Sequence, residues 1–340
     1  MASSPRPAPL RTLQVLRGIA VMLVVVHHFS DVMAPFTPGH KVWDNGASGV
    51  DLFFVISGFI IPLSIDSSRS GFAATARFFQ RRLERIVPLY WLVTTRTFLS
   101  MLYFGVPFTF LHIAGSYLFL PTRGRFGEYL PIVSVGWTLT YEMAFYLLIA
   151  LVILWTGRVM EIVLPLVVLI GLVGITVPLP SVHMDLSLYL EFGLGMVAAI
   201  WYTRSKMRLP AVVAAFLLLA SLTLEITAPF YTLRVVQWGI LSFLILISAL
   251  SLEGVIGSRL PRWSLLLGDA SYSIYLVHEY GITIIRHLML AKRLSPTMGL
   301  LLGCLMGLSF GLACYWLIEL PILNFFKTRR LQLRKSIPTS

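Results

Sequence analysis

The sequence predicts an all-α membrane protein: a polytopic bundle of about ten transmembrane helices with both termini in the cytoplasm. Two observations on composition predict this class, since 57% of the 340 residues are hydrophobic and only 12% are charged. A mean hydropathy of +0.83 is far above that of a soluble chain of this length. A further observation is the distribution of basic residues, which concentrate on one side of the predicted helices.

A spanning helix needs about 20 mainly apolar residues. Ten segments meet this requirement: 13–33, 48–66, 86–106, 134–155, 159–178, 184–202, 209–228, 234–252, 265–287 and 298–320. A shorter apolar run, 108–121, is predicted to be re-entrant or interfacial. The first segment is too long for the apolar core of a cleaved signal peptide, so we expect it to remain as a membrane helix.

The Lys and Arg residues predict the orientation. With a cytoplasmic N-terminus, 18 of them fall in cytoplasmic segments and 7 in the opposite loops. This bias is typical of cytoplasmic loops and explains the net charge of +12 without a nucleic-acid partner. The predicted organisation is a cytoplasmic tail over 1–12, a transmembrane domain over 13–325 and a basic cytoplasmic tail over 326–340.

The first predicted helix, LRGIAVMLVVVHHF, carries two polar side chains on one face. Arg17 and His28 are eleven residues apart, which at 100° per residue brings them within about 20° of each other and about 16 Å apart along the axis. Polar groups at membrane depth usually face a wet cavity or the bundle interior. Arg17 can instead extend to the headgroups, and His28 can make a structural interhelical hydrogen bond. His27 points elsewhere and is predicted to be structural.

Two carboxylates are predicted to meet His28 in the non-cytoplasmic half. Asp51 opens the second helix in GVDLFFVISGF, and Glu142 follows Thr138 by one turn in GWTLTYEMAFY. A carboxylate can orient a histidine and raise its basicity, which a general base requires. The same three side chains could serve as a proton relay, and the residue pattern leaves both alternatives open.

The cytoplasmic half is predicted to bind an anion. Clustered guanidiniums beside hydroxyls suit a phosphate-bearing ligand, although the arginines also fit ordinary positive-inside topology. Ser271 and His278, seven residues apart, mark a polar stripe on the ninth predicted helix, and Glu319 lies near the inner face or pairs with an arginine. The arginines concerned are Arg17, Arg81, Arg82 and Arg85.

The order of these motifs resembles the membrane acyltransferase-3 family, which includes bacterial polysaccharide O-acetyltransferases. LRGIAVMLVVVHHF is similar to the family's Arg-x10-His signature, and the later stretches follow in the family's order: GVDLFFVISGFII, RRLERIVPLYW, GWTLTYEMAFY, SYSIYLVH and IELP. The resemblance extends from about residue 13 to residue 325 and is closest to the exopolysaccharide O-acetyltransferase branch. Met143 stands where many relatives have a second acid, so Glu142 is the only acid in this motif.

The resemblance implies that an acyl group, usually acetyl, passes from cytoplasmic acyl-CoA to a sugar hydroxyl, in the bacterial inner membrane and without a metal. Three groups of residues are then expected at the site. The expected catalytic residues are His28, Glu142 and Asp51; the expected acyl-CoA contacts are Arg17, Arg81, Arg82, Arg85, Ser271, Ser273, His278 and Glu319; the expected acceptor contacts are Trp137, Thr138 and Tyr141. Trp137 also fits an interfacial aromatic belt.

Two other classes of function compete with the acyltransferase. A proton-coupled secondary transporter would use His28, Asp51 and Glu142 as a relay, but no matching pair of broken helices is visible between the two halves of the sequence. A non-catalytic scaffold would leave the polar residues in the spans unexplained. The identity of the acceptor glycan, the acyl length, the choice between direct transfer and an acyl-histidine, and the partners (a homodimer or polysaccharide-assembly proteins) stay open.

Overall fold

The computed structural model describes residues 10–36, 43–66, 70–124, 127–177, 184–205, 208–229 and 233–335. Most of the predicted N-terminal tail and residues 336–340 of the predicted C-terminal tail lie outside these ranges. The described part contains α-helices, short 3-10 turns and two π-helical segments, and no strand. The all-α class predicted from hydropathy is therefore confirmed.

Fourteen α-helices make up the described part of the chain. They are α1 (Arg11–Met33), α2 (Ser48–Leu63), α3 (Phe72–Tyr103), α4 (Phe110–Leu118), α5 (Trp137–Trp155), α6 (Val159–Thr176), α7 (Tyr189–Arg204), α8 (Ala211–Thr227), α9 (Ile240–Ile256), α10 (Arg262–Asp269), α11 (Ser271–Val277), α12 (Glu279–Leu290), α13 (Pro296–Cys314) and α14 (Leu320–Lys335). The π-helical segments are Val235–Gly239, before α9, and Tyr315–Glu319, between α13 and α14.

Seven helical segments of the described chain are long and apolar enough to cross a membrane, which makes this a membrane protein. They are Arg11–Phe36, Asp44–Leu63, Ser134–Trp155, Val159–Thr176, Leu186–Arg204, Val235–Arg259 and Pro296–Gln332. The other three predicted spans are also helical but differ from a regular span. Segment 86–106 forms the end of α3, a helix that begins with an arginine-rich stretch. Segment 209–228 corresponds to α8, which has only 17 residues. Segment 265–287 is divided among α10, α11 and α12.

Helix α1 lies at the centre of the bundle. It packs against α2, α9 and the successive helices α10, α11, α12 and α13. Val21, Val25 and Phe29 of α1 are fully buried, because apolar neighbours surround this helix on several sides. We call the part of the bundle around residues 11–21 of α1 the proximal half and the part around residues 22–33 the distal half.

Helix α13 approaches α1 and the α11–α12 junction closely because one of its faces has no side chains. Four buried glycines recur there at four-residue spacing: Gly299, Gly303, Gly307 and Gly311. A Cβ at Gly303 would lie 2.2 Å from the Phe29 ring, and a Cβ at Gly307 would lie 3.1 Å from the Cβ of His278. Small residues allow such close helix contacts in membrane bundles. The stripe therefore holds α1 and the α11–α12 junction together in the distal half.

Candidate active site

A cavity of about 140 Å³, which we call the arginine cavity, opens in the proximal half between α1, α2, α3, α5 and α11. Three guanidiniums and one carboxylate are among its lining groups: Arg17, Arg82, Arg85 and Glu142. The lining thus has a formal charge of +2, which favours an anionic ligand. Arg81 of the predicted set is exposed and is not among the lining residues.

Arg17 is fixed at the side of this cavity by two neighbours. Its Nη2 donates to Oγ of Ser271 at 2.9 Å, and its Nη1 donates to Oε1 of Gln14 at 3.2 Å. Arg82 donates to Oγ of Ser64 at 2.5 Å and lies over the Tyr146 ring at 5.6 Å. Among the described residues neither guanidinium has an ion-pair partner, so both can form charged hydrogen bonds to a ligand.

Glu142 lies in the arginine cavity and is hydrogen-bonded there. Tyr146 donates its hydroxyl to Oε1 of Glu142, and Ser57 donates to the same oxygen at 3.4 Å. The sequence predicted Glu142 beside His28, but the structure brings it to the arginines instead. The difference arises because α2 begins beside Ala20 of α1 and Glu142 contacts Ser57, further along α2, so Glu142 lies at the level of Arg17 rather than of His28.

Ser273 and Glu319 form a separate buried pair behind the cavity wall. Ser273 is fully buried and donates to Oε2 of Glu319 at 2.5 Å, and Glu319 is only 2% exposed. The glutamate that pairs with an arginine in this region is Glu84, whose Oε2 lies 2.7 Å from Nη1 of Arg330. Ser273 and Glu319 therefore bind each other, and neither is among the residues that line the cavity.

His28 contacts a carboxylate that the sequence analysis did not single out. Its Nδ1 lies 3.5 Å from Oε1 of Glu279, the first residue of α12. Glu279 is oriented by Ser134, whose Oγ lies 2.7 Å from Oε1 and 2.5 Å from Oε2. A carboxylate at Nδ1 favours the tautomer with hydrogen on that nitrogen, which leaves the Nε2 lone pair for a proton or an acyl group.

His278 completes the group around His28. The two rings meet edge to face with centroids 5.0 Å apart. Nδ1 of His278 lies 2.9 Å from the carbonyl oxygen of Tyr275 and 3.2 Å from that of Ile274, so this nitrogen is the donor. Its Nε2 is buried and has no hydrogen-bond partner among the described residues. His278 thus supports the His28 ring and presents an acceptor nitrogen within the protein.

The predicted stripe of Ser271 and His278 meets the predicted face of Arg17 and His28. Because α1 and α11 run side by side in the same direction, Ser271 contacts Arg17 and, seven residues later, His278 contacts His28. His27, predicted to be structural, points to another neighbour, with its Nδ1 3.0 Å from the carbonyl oxygen of Trp43. The two spacings read from the sequence thus describe one interface.

Tyr275 lies between the arginine cavity and the histidines. Its ring lines the cavity and lies 6.3 Å from the ring of His278. Its hydroxyl donates to the carbonyl oxygen of Val135 at 3.0 Å and lies 3.0 Å from Oγ1 of Thr138. Thr138, predicted to contact the acceptor, therefore belongs to this junction. The Tyr275 side chain therefore separates the arginine cavity from His278.

Asp51, predicted to orient His28, is instead the ion-pair partner of Arg234. Nη2 of Arg234 lies 2.7 Å from Oδ2 of Asp51, and Nε lies 2.9 Å from Oδ1. Asp51 is fully buried, as are Glu191 and Glu225 beside it. A buried carboxylate needs a counter-charge or hydrogen-bond donors. Arg234, directly before the π-helical segment Val235–Gly239, supplies both to Asp51.

A second cavity of about 180 Å³, which we call the aromatic cavity, is present in the distal half. Trp137 and Tyr141 of the predicted acceptor contacts line it, together with Tyr129, Asp185 and Arg234. Sequence reasoning missed the last three, and it also missed Glu279, Ser134 and Tyr275. A signal for Glu279 was present, because it is an acidic residue inside an apolar run, directly after SYSIYLVH.

No group of three or more His, Cys, Asp or Glu side chains in the described ranges could hold a metal ion. The chemical groups that the geometry brings together are therefore guanidiniums at one level and an imidazole, a carboxylate and a hydroxyl at another. Such a set can bind a phosphorylated molecule and move a proton from a hydroxyl.

Comparison with known proteins agrees with this chemistry. The model of a family described as "Acyltransferase domain" (Acyl_transf_3) matches residues 10–316. A protein named "Exopolysaccharide production protein ExoZ" from Rhizobium meliloti (strain 1021) is 34% identical over 301 residues, which is 84% of this chain and 92% of the relative. A "Putative acetyltransferase ORF330" from Acidianus two-tailed virus is 27% identical over 318 residues, 85% of each chain. No solved structure matches the chain.

The family match covers most of the chain and includes the helices that carry Arg17, His28 and Glu279. It favours the enzyme over the transporter and the scaffold. The chain therefore belongs to the acyltransferase-3 family and is a membrane O-acyltransferase.

Proposed function

We propose that the enzyme transfers an acetyl group from acetyl-CoA, bound from the cytoplasm, to a hydroxyl of an exopolysaccharide or other cell-surface sugar. Three lines of support bear on this proposal. The lining of the arginine cavity is cationic, an imidazole–carboxylate pair lies in the other half of the bundle, and one relative is named for exopolysaccharide production.

One observation carries the proposal. Arg17 and His28 lie on the same face of α1, and each meets a polar partner from the α11–α12 segment, Ser271 for the first and His278 for the second. An anchor for phosphate and a base for the sugar hydroxyl are thus attached to one rigid helix. Such a helix sets the distance between the charged end and the reactive end of a long donor.

Acyl-CoA is the donor class that fits the arginine cavity best. Its phosphates are charge-matched to Arg17, Arg82 and Arg85, since guanidiniums bind phosphate through paired N–H donors. The thioester arm would then extend toward Tyr275 and the histidines. We include in the proposal that the Tyr275 ring moves aside when the thioester reaches His28, because this ring separates the two sites.

The chemistry follows from the two nitrogens of His28. Nε2 accepts the proton of the sugar hydroxyl while that oxygen forms a bond to the thioester carbonyl carbon; the carbon–sulfur bond then breaks, and the CoA thiolate leaves and takes up the proton. Glu279 stabilises the imidazolium through Nδ1. In the other route, Nε2 attacks the thioester carbon first and the CoA thiolate leaves. The sugar oxygen then attacks the acyl-imidazole, the carbon–nitrogen bond breaks, and the released imidazole takes up the hydroxyl proton. A positioned base contributes about 10²–10⁴-fold in rate.

The topology that we propose places ten spans in the bacterial inner membrane with both termini in the cytoplasm. This orientation is supported by the Lys and Arg residues, of which 18 would lie in cytoplasmic segments and 7 in the opposite loops. The proximal half, with the arginine cavity, then faces the cytoplasm, where acetyl-CoA is made, and the distal half faces the acceptor. A homodimer or a complex with polysaccharide-assembly proteins is compatible with this arrangement.

The test is reconstitution. Purified enzyme in nanodiscs receives acetyl-CoA labelled in the acetyl group, together with polysaccharide from a strain that lacks the gene. We expect alkali-labile label on the polysaccharide with wild-type enzyme and none above background with His28→Ala. Label that appears equally with both proteins, or with neither, would exclude the proposed reaction.

A further inference from the structure

The aromatic cavity is not needed for acyl-donor binding or for the His28–Glu279 pair. It lies in the distal half between the amino end of α5, the start of α7 and Arg234. Its lining combines aromatic rings with charged groups of both signs, and its rim includes exposed side chains such as Leu120, 54% exposed, and Asp185. Cavities with aromatic walls and a few convergent polar groups are typical of binding sites for organic ligands.

We propose that the aromatic cavity binds a neutral sugar ring of the acceptor, next to the ring that receives the acyl group. This inference rests on the proposed function and assigns the acceptor its own subsite. The residues that carry it are Trp137, Tyr129, Asp185 and Arg234.

The aromatic side chains supply flat apolar faces. Trp137 is half-buried, and the edge of its ring packs against Tyr141 with centroids 5.7 Å apart at 84°. Tyr141 is itself held by Tyr189 at 5.8 Å. The Trp137 indole is fixed on one side, so it loses little conformational freedom when a ligand binds to its other face. The apolar C–H face of a sugar ring can stack on that open face.

The charged side chains supply hydrogen bonds for hydroxyl groups. Arg234 is held by Asp51 through Nε and Nη2, and Nη2 also donates to the carbonyl oxygen of Ala47 at 3.2 Å. Asp185 accepts from the backbone N–H and the hydroxyl of Ser187, and both of these bonds go to Oδ1. A fixed guanidinium and a fixed carboxylate offer donors and acceptors to neighbouring hydroxyls. Asp51 is then a positioning residue for Arg234.

The balance of charge favours a neutral ring over an acidic one. Asp51 already offsets the positive charge of Arg234, at 2.7 Å. Asp185 adds a second carboxylate to the lining. An acidic sugar would add a third negative group beside Asp51 and Asp185, with Arg234 as the one positive group among the described lining residues. Repulsion between these like charges would weaken its binding.

The aromatic cavity is close enough to His28 to serve the same acceptor chain. Trp137, in its wall, follows Ser134 by three residues, and Ser134 binds the carboxylate that contacts His28. Three residues of helical backbone span roughly 5–6 Å. One sugar can therefore occupy the cavity while its neighbour in the chain lies at His28.

Direct binding of oligosaccharides tests the proposal. Polysaccharide from a strain that lacks the gene is cut into unacetylated oligosaccharides, and their binding to the full-length enzyme in detergent is measured by equilibrium dialysis. We expect Trp137→Leu and Asp185→Asn each to raise the Kd at least tenfold. Trp155→Leu is the matched control, because Trp155 ends the same helix, is 79% exposed and lies outside the cavity. The Kd of this control should equal the wild-type value.

The outcomes separate this inference from the proposed function. Equal Kd values in wild type, Trp137→Leu and Asp185→Asn, or no binding by wild-type enzyme, would overturn the sugar subsite. An enzyme that binds the oligosaccharides with the expected variant pattern but transfers no acetyl group to them would support the subsite and refute the proposed reaction. Anion-exchange chromatography of the bound fraction should find neutral oligosaccharides, and a bound fraction that is only acidic would overturn the assignment of a neutral ring.

Discussion

The contact between Glu279 and His28 makes a prediction about rate. Glu279→Gln keeps the shape of the side chain and its hydrogen bond from Ser134 but removes the charge at Nδ1 of His28. The imidazolium that forms during proton transfer then loses its nearest counter-charge. Its formation becomes less favourable, and the chemical step slows.

The size of the effect follows from the geometry. Two unit charges 3.5 Å apart attract by about 5 kcal/mol at an effective dielectric constant of about 20. The side chains are 28% and 26% exposed, so solvent screens part of this energy and about 2–3 kcal/mol remains. At 1.36 kcal/mol for each factor of ten, kcat should fall about 30- to 150-fold.

The assay is steady-state transfer of labelled acetyl to polysaccharide, with equal elution profiles and melting temperatures as the check on folding. Glu161→Gln is the control, because Glu161 also pairs with an arginine but is 54% exposed on the surface. Its kcat should equal the wild-type value, since exposed ion pairs contribute little. A Glu279→Gln enzyme with kcat within threefold of wild type would refute the role of this carboxylate.

Three further predictions concern the donor, the buried ion pair and the helix packing. Arg17→Ala should raise the Kd for acetyl-CoA about 10- to 100-fold in calorimetry, as expected for the loss of a charged hydrogen bond, and an unchanged Kd would contradict the donor assignment. Asp51→Asn should lower the free energy of unfolding by about 3–5 kcal/mol in denaturant titrations, because it removes the counter-charge of Arg234, whose side chain is only 21% exposed; a loss below about 1 kcal/mol would argue against this. Gly303→Ala should cost about 1–3 kcal/mol through its clash with Phe29, whereas Gly254→Ala, which meets nothing within 4 Å, should cost nothing.

The sequence predicted the helical class well because membrane spans depend on local composition. It also predicted the face shared by Arg17 and His28 and the spacing of Ser271 and His278, since helical periodicity is a property of one segment. In the structure Arg17 contacts Ser271 and His28 contacts His278. Local periodicity therefore predicted the faces by which α1 and the α11–α12 junction meet.

The partners of the predicted residues could not be derived in the same way. Periodicity tells which residues share a face, but it does not tell which carboxylate of another helix approaches that face. Asp51 pairs with Arg234, 183 positions later in the chain, and Glu279 approaches His28 only because α11 and α12 run beside α1. Both facts depend on how the helices pack.

The number of spans shows the same limit. Hydropathy alone treats 265–287 as one helix, while the structure divides it at Ala270 and His278. The second division lies at the site, where Nδ1 of His278 turns to the carbonyl oxygens of the preceding turn. A window average of hydropathy does not detect this change, because the segment stays apolar on average despite Glu279.

In the proposed mechanism, donor binding and proton transfer take place at two levels of one helix. The most direct measurement compares acetyl-CoA affinity with acetyl transfer in His28→Ala. We expect a Kd within twofold of wild type together with transfer reduced by at least about 100-fold, since a general base contributes that much. Transfer within tenfold of the wild-type rate by a folded His28→Ala enzyme would contradict it.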